Sequence, residues 1–130
     1  MNLTPISIKA RREALGLGQE ALSRVLGTTQ ATLNRWERGQ RSPEEPEQVD
    51  QVLTRLEDAM LNLEDKIYQD GKAQGDPALI MVFRTDEQFH EADSSAAEAG
   101  LPASFYRIAA ARAAAQLRDE LDISARIDTV

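Results

Sequence analysis

The stretch GQEALSRVLGTTQATLNRWERG, residues 18–39, decides the fold of the N-terminal part. Ala21, Leu22, Val25 and Leu26 recur at i, i+1, i+4 and i+5, which is one face of a helix predicted over 19–26. Gly27 ends that helix and suits a left-handed closing residue, because glycine adopts positive φ without steric cost. Thr29 can cap a further helix, 30–38, by accepting a hydrogen bond from the N–H of residue 31 or 32. Gly39 stops it. Ser23 or Ala21 is small enough for the two helices to cross closely. Leu22, Leu26, Leu33 and Trp36 are spaced to lock that corner with apolar contacts, and Trp36 reads as core.

Upstream, Thr4-Pro5 reads as an N-cap followed by a first-turn proline, opening a helix of roughly 5–15 that stops at Gly16. Downstream, residues 41–46 (RSPEEP) form a prolyl linker. From Pro46 to about Gln69 nothing breaks a helix. Val49, Leu53, Leu56, Met60, Leu63 and Ile67 are spaced 4, 3, 4, 3, 4, a heptad seam. Such a seam serves either a second copy of the chain or the helix's own domain, and each half can serve a different one. Residues 71–77 (GKAQGDP) predict a loop. Leu79 to Phe83 is a short apolar run, predicted as a buried strand. Thr85 caps a helix of about 86–92, with Gln88 in the capping-box position. Residues 94–100 fit no single element. An alanine-rich helix then runs from Leu101-Pro102 to about Leu121, and Ile123, Ala125 and Ile127 alternate as in a strand. The expected fold is mainly α. A helix-turn-helix head spans 1–45, a long linking helix 46–73, and a small α+β module, expected to dimerise, 74–130. Candidate dimerisation residues are Leu53, Leu56, Met60, Leu63, Ile67, Ile80, Val82 and Phe105.

Composition narrows the function classes. The 130 residues contain no cysteine and one histidine. That excludes disulfides and thiolate metal sites and leaves little for histidine chemistry, so no cofactor or metal is expected. His90 reads as surface. The carboxylate pairs Glu57/Asp58 and Asp119/Glu120 read as solvated helix surface. With no apolar leader and no stretch near the ~18 apolar residues of a membrane span, the expectation is a soluble cytoplasmic protein without membrane contact. Net charge is −7, unevenly spread. Residues 1–43 hold seven Lys/Arg and three Asp/Glu, a balance of +4. Residues 44–130 hold eight and nineteen, a balance of −11. An acidic body either turns the basic head toward a polyanion or is plain solvated surface.

Residues 16–22 (GLGQEAL), 26–33 (LGTTQATL), 36–39 (WERG) and Pro43 together resemble the Cro/cI (XRE-type) repressor domains, over about a third of the chain. The resemblance implies binding to double-stranded DNA. Gln30, at the first turn of the recognition helix, would bond adenine N6 and N7 as the matching glutamine of similar phage repressors does. Ala31 can meet a thymine methyl, and Thr32, Asn34 and Arg35 complete the base-contacting face. Gln19, Arg38, Gln40 and Arg41 suit phosphate contacts, which position without specifying. Arg12 and Glu37 would pair between helices, as in similar repressors. Gly18 departs from the family, which places Thr, Ser or Asn there; a glycine cap costs only a few tenths of a kcal/mol but removes a hydroxyl.

The long helix departs from the two short helices usual in that family. The layout is similar to the anti-CRISPR-associated autorepressors, which implies homodimerisation through the C-terminal half, repression of the protein's own operon and a role in phage defence. Two heads on a pseudo-palindromic operator roughly add their binding energies. Half-sites about 10 bp apart are the default. The alternative is an antitoxin whose C-terminal half binds a toxin. An enzyme is disfavoured by the missing nucleophiles and phosphate-cradling loop.

Overall fold

A computed structural model describes residues 3–129. The elements in chain order are α1 (Pro5–Ala14), α2 (Gln19–Leu26), α3 (Gln30–Glu37), α4 (Pro46–Gln74), β1 (Ala78–Val82), α5 (Asp86–Ala92), α6 (Ser94–Ala99), α7 (Ala103–Leu121) and β2 (Ala125–Thr129). The fold is mainly α: a helix-turn-helix head, the long α4, and a small α+β module. No helix of the described residues is long and apolar enough to cross a membrane.

Thr4 starts α1 by accepting from Ser7 N–H (3.2 Å), while the Ser7 hydroxyl receives Thr4 N–H (2.8 Å). The two side chains satisfy orphan donors reciprocally. The Arg11 guanidinium then latches α1 to α4. It donates to Asp50 (2.7 Å) and to Glu57 (2.6 and 3.1 Å), with a longer contact to Thr54 (3.3 Å). The Glu57 hydrogen bond leads in raising the Arg11 pKa above its ordinary value. Glu57 is therefore an ion-pair partner, not the solvated surface carboxylate predicted beside Asp58.

α4 continues past Gln69 and through Gly71, where a loop was expected. Gly71 is buried against α7, and a Cβ there would lie 2.4 Å from Leu117 Cδ1. The glycine permits close approach of two helices rather than ending one; interhelical distance follows the side chains at the contact. α7 contributes small residues to the same contact: Ala109, Ala110 and Ala113 are fully buried beside Leu117. Across it, Tyr68 OH donates to Glu120 Oε2 (3.0 Å), so Glu120 too is engaged.

The heptad seam is filled from within the protomer. Leu53, Leu56, Met60 and Ile67 are buried in the one hydrophobic core that also holds Ile80, Val82 and Phe105, and Leu63 packs half-buried against it. Seven of these eight, expected at a dimer interface, are instead enclosed within the protomer, while Leu63 keeps part of its surface exposed. Each of the seven spends its apolar surface, worth about 1.5–3 kcal/mol for a large aliphatic, on its own protomer.

β1 and β2 pair in parallel, with Ala78 opposite Ala125, Ile80 opposite Ile127 and Val82 opposite Thr129. Parallel pairing requires a crossover, which α5, α6 and α7 provide. The strands sit one residue earlier and two later than the apolar patterns suggested. Residues 94–99, left open by the sequence, form α6, capped by the Asp93 carboxylate on Ser95 and Ala96 N–H (3.0 and 3.1 Å). α7, whose N-cap Pro102 has no capping side chain, instead gives its Ala103 N–H to the Asp86 carboxylate of α5 (2.8 Å). His90 is half-buried, not a surface residue, and its Nε2 meets Leu101 C=O at 2.7 Å. Phe83, Phe89 and Tyr106 close the sheet end as an aromatic cluster with centroids 5.1–5.5 Å apart.

Candidate nucleic-acid interface

α2 begins at Gly18, whose extended backbone caps without a side chain. It ends at Gly27, left-handed at φ 71°, where Gly27 N–H returns to Arg24 C=O and Thr28 N–H to Ser23 C=O (3.1 and 2.9 Å). The chain therefore turns in three residues, 27–29, and restarts as α3. Thr29 Oγ1 accepts from Thr32 N–H (3.1 Å), the cap the sequence predicted. Ala21, Leu22, Ser23 and Leu33 are buried at the crossing, with Leu26 against them. Trp36 differs from its expected place: it is half-buried, and its Nε1 is enclosed without a hydrogen-bond partner among the described residues.

A buried ion pair fixes the far end of α3. Arg12 Nε and Nη2 donate to the two oxygens of Glu37 at 2.7 and 2.9 Å, and Arg12 Nη1 to Leu17 C=O at 3.0 Å. Both residues are more than nine-tenths buried. Burial pushes the Glu37 carboxyl up, but hydrogen bonds from Arg12 and Gln19 and the charges of Arg12 and Lys9 outweigh it, and its pKa is lowered. The Arg12 pKa is raised, first by its hydrogen bond to Glu37. The pair joins α1 to α3 with bidentate geometry, the strong form of such contacts.

With its back fixed, α3 shows its other face. Gln30, Ala31 and Arg35 are exposed, and Thr32 and Asn34 half-exposed. The side chains of Gln30 and Arg35 have no hydrogen-bond or ion-pair partner among the described residues. Thr32 is engaged by the Thr29 hydroxyl (3.0 Å). Arg38, Gln40 and Arg41 are exposed on the turn after α3, Arg41 only loosely facing Glu44 (3.9 Å). The head's other arginines are matched by carboxylates at 3.0 Å or less: Arg11, Arg12 and Arg24. Its uncompensated positive charge thus gathers on Arg35, Arg38 and Arg41, with Lys9 on α1.

Gln19 stands differently from its expected phosphate role. Its Nε2 donates to Asn34 Oδ1 (3.2 Å) and Glu37 Oε1 (3.1 Å), so both amide hydrogens are used within the protein. An amide has only two such donors, and a phosphate offers only acceptors. The side chain positions Asn34, and the N–H groups at the α2 N-terminus remain as the donors there. The signal for this lay in the i, i+3 spacing of Asn34 and Glu37, which puts both on one side of α3.

Residues 8–46, covering most of α1, all of α2 and α3 and the linker, match the helix-turn-helix family, of the XRE or Cro/cI type. That family is DNA-binding and not catalytic, so the head is a DNA-binding domain with a transcription-regulatory role. No curated protein sequence matches the chain.

Proposed function

From a helix-turn-helix head as premise, we propose that this protein is a sequence-specific transcriptional repressor that binds an inverted-repeat operator as a homodimer, and that the gene it controls is its own. The observation carrying this reading is the exposure of Gln30 and Arg35 on α3, without side-chain partners among the described residues, beside the uncompensated Arg38 and Arg41. Recognition helices insert their N-terminal end into the major groove. Gln30 reads adenine N6 and N7 as a bidentate pair, Ala31 meets a thymine methyl, and Arg35 reads guanine. Thr32 and Asn34 complete the face, and the Asn34 amide nitrogen is free to donate because its oxygen is held by Gln19. Arg38, Gln40 and Arg41, with the N–H groups opening α2, hold phosphates and set register.

One head makes few base contacts, so affinity in the operator range requires two. The acidic remainder of the chain repels the duplex and presents the head in one orientation. The antitoxin alternative draws no specific support: the described C-terminal elements pack on one another and on α4.

The testing experiment is selection of bound fragments from randomised duplex DNA at physiological salt. Enrichment of an inverted repeat is expected; weak, salt-sensitive binding with no enriched sequence would overturn the reading. On the selected operator, Gln30→Ala should cost about 1–3 kcal/mol and relax preference at one base pair. An equal loss on every sequence would show that Gln30 reads no base.

A further inference from the structure

The two edges of the β1–β2 ribbon are unlike. On the β1 side Gln74 turns back onto the strand. Its Oε1 accepts from Leu79 N–H (2.8 Å) and its Nε2 donates to Leu79 C=O (2.9 Å), which blocks that edge to another strand. Among the described residues, side chains cover the outer edge of β2 only at its end. Ala78 stands opposite Ala125 and donates its N–H to Ser124 C=O (2.9 Å). A parallel ladder in that register turns the N–H and C=O of Arg126 and Asp128 toward β1, and those of Ala125, Ile127 and Thr129 outward. Thr129 N–H is taken by its neighbour's carboxylate, Asp128 Oδ1 (2.8 Å). The outward groups of Ala125 and Ile127 have no partner among the described residues. On this strand Ile127 is 42% exposed, and on β1 the apolar Leu79 and Met81, level with Arg126 and Asp128, are 45% and 39% exposed. An open edge beside exposed apolar residues is a template for one more strand.

We infer that this strand is β2 of a second copy of the chain, antiparallel about a two-fold axis through Ile127. The charge order selects that occupant. Arg126 and Asp128 flank Ile127 and now pair with each other (2.6 Å) in an exposed contact. Centring on Ile127 sets Arg126 of each copy opposite Asp128 of the other, twice. Centring on either neighbour would set like charges opposite each other, which is unfavourable. The same centring lets the two Ile127 residues exchange both backbone hydrogen bonds, because their N–H and C=O are the outward ones. The result is one four-stranded sheet in the order β1-β2-β2-β1, with Gln74 terminating it at both ends. An isologous contact of this kind closes on itself and stops at two copies. It supplies the pairing that the proposed operator binding needs, and it is measured without DNA.

The experiment is analytical ultracentrifugation of the full chain at low salt, where exposed charges are least screened. The wild type should sediment as a dimer at tens of micromolar. Arg126→Asp and Asp128→Arg should each weaken self-association by about tenfold or more, since each sets two like-charged pairs across the axis. Mixing the two variants should restore dimers, because opposite charges meet again in the mixed pair. A monomeric wild type, variants that dimerise as the wild type does, or a mixture no better than its components would overturn the inference. Should a variant fail to fold, hydrogen exchange of the wild-type Ile127 amide decides: protection that is lost on dilution supports the pairing, and exchange independent of concentration overturns it. A dimer without operator affinity would sink the repressor reading alone; a monomer that binds a single half-site would sink this one alone.

Discussion

Glu37→Ala is expected to remove about 3–5 kcal/mol of stability, because it leaves the buried Arg12 guanidinium without its counter-charge. For a chain of this size that corresponds to a fall in Tm of about 10–20 °C. Thermal or urea unfolding followed by circular dichroism measures it. Glu37→Gln keeps the shape and one hydrogen-bond acceptor and should fall between the two. The same residue carries a pH signature. Its folded pKa is lowered, so its contribution is fully present above the unfolded carboxylate value of about 4.3 and is lost as pH falls through the folded one. The stability gap between wild type and Glu37→Gln should therefore be constant near neutrality and narrow in acid below about pH 4. A gap that does not change between pH 7 and pH 3 would show that the carboxylate is not what holds α3.

Gly16→Ala should cost about 2–5 kcal/mol, adding a left-handed penalty to an overpacking one. Gly16 sits at φ 69°, and a Cβ there would lie 2.7 Å from both Ser104 C=O and Ile108 Cγ1. Backbone cannot step aside as a side-chain tip can. The Ser104 hydroxyl also donates to Gly16 C=O, so the substitution parts the head from the start of α7. Ser104→Ala, which removes the hydrogen bond but leaves the space, should cost about 1 kcal/mol. Unfolding in urea separates the two variants. Equal losses would mean that the hydrogen bond, not the close approach, joins the two parts.

The head was legible in the sequence because its signals are local. A cap at Thr29, a left-handed Gly27 and an apolar stripe each act within a few residues, and the family motif binds them into one register. What lay beyond reach depended on partners distant in the chain. A glycine before a loop-like run reads as a breaker, and only Leu117, forty-six residues on, reveals that Gly71 is a contact inside α4. The heptad seam is the same sequence whether a second chain or α7 fills it. α7 is legible as a helix, but its alanines do not announce which helix they admit. On the candidate interface, Gln30 and Arg35 lie exposed as the motif required. Gln19 does not, because its amide found two acceptors on α3 before any phosphate.

The joining of the head to the rest of the protein bears on how operators are told apart. The ion pairs from Arg11 to α4 and the contact of Gly16 with the start of α7 hold it at two separated points. A head swinging on a flexible tether accommodates half-sites at many separations and loses that freedom on binding. This one has little freedom left to lose. In a paired protein the distance and twist between two recognition helices then become properties of the fold, like the span of a caliper. One inserted base pair displaces a half-site by about 3.4 Å and rotates it by about 34°, more than a clamped head can follow. Discrimination would then reside as much in the count of bases between half-sites, which no side chain touches, as in the base contacts proposed for Gln30 and Arg35.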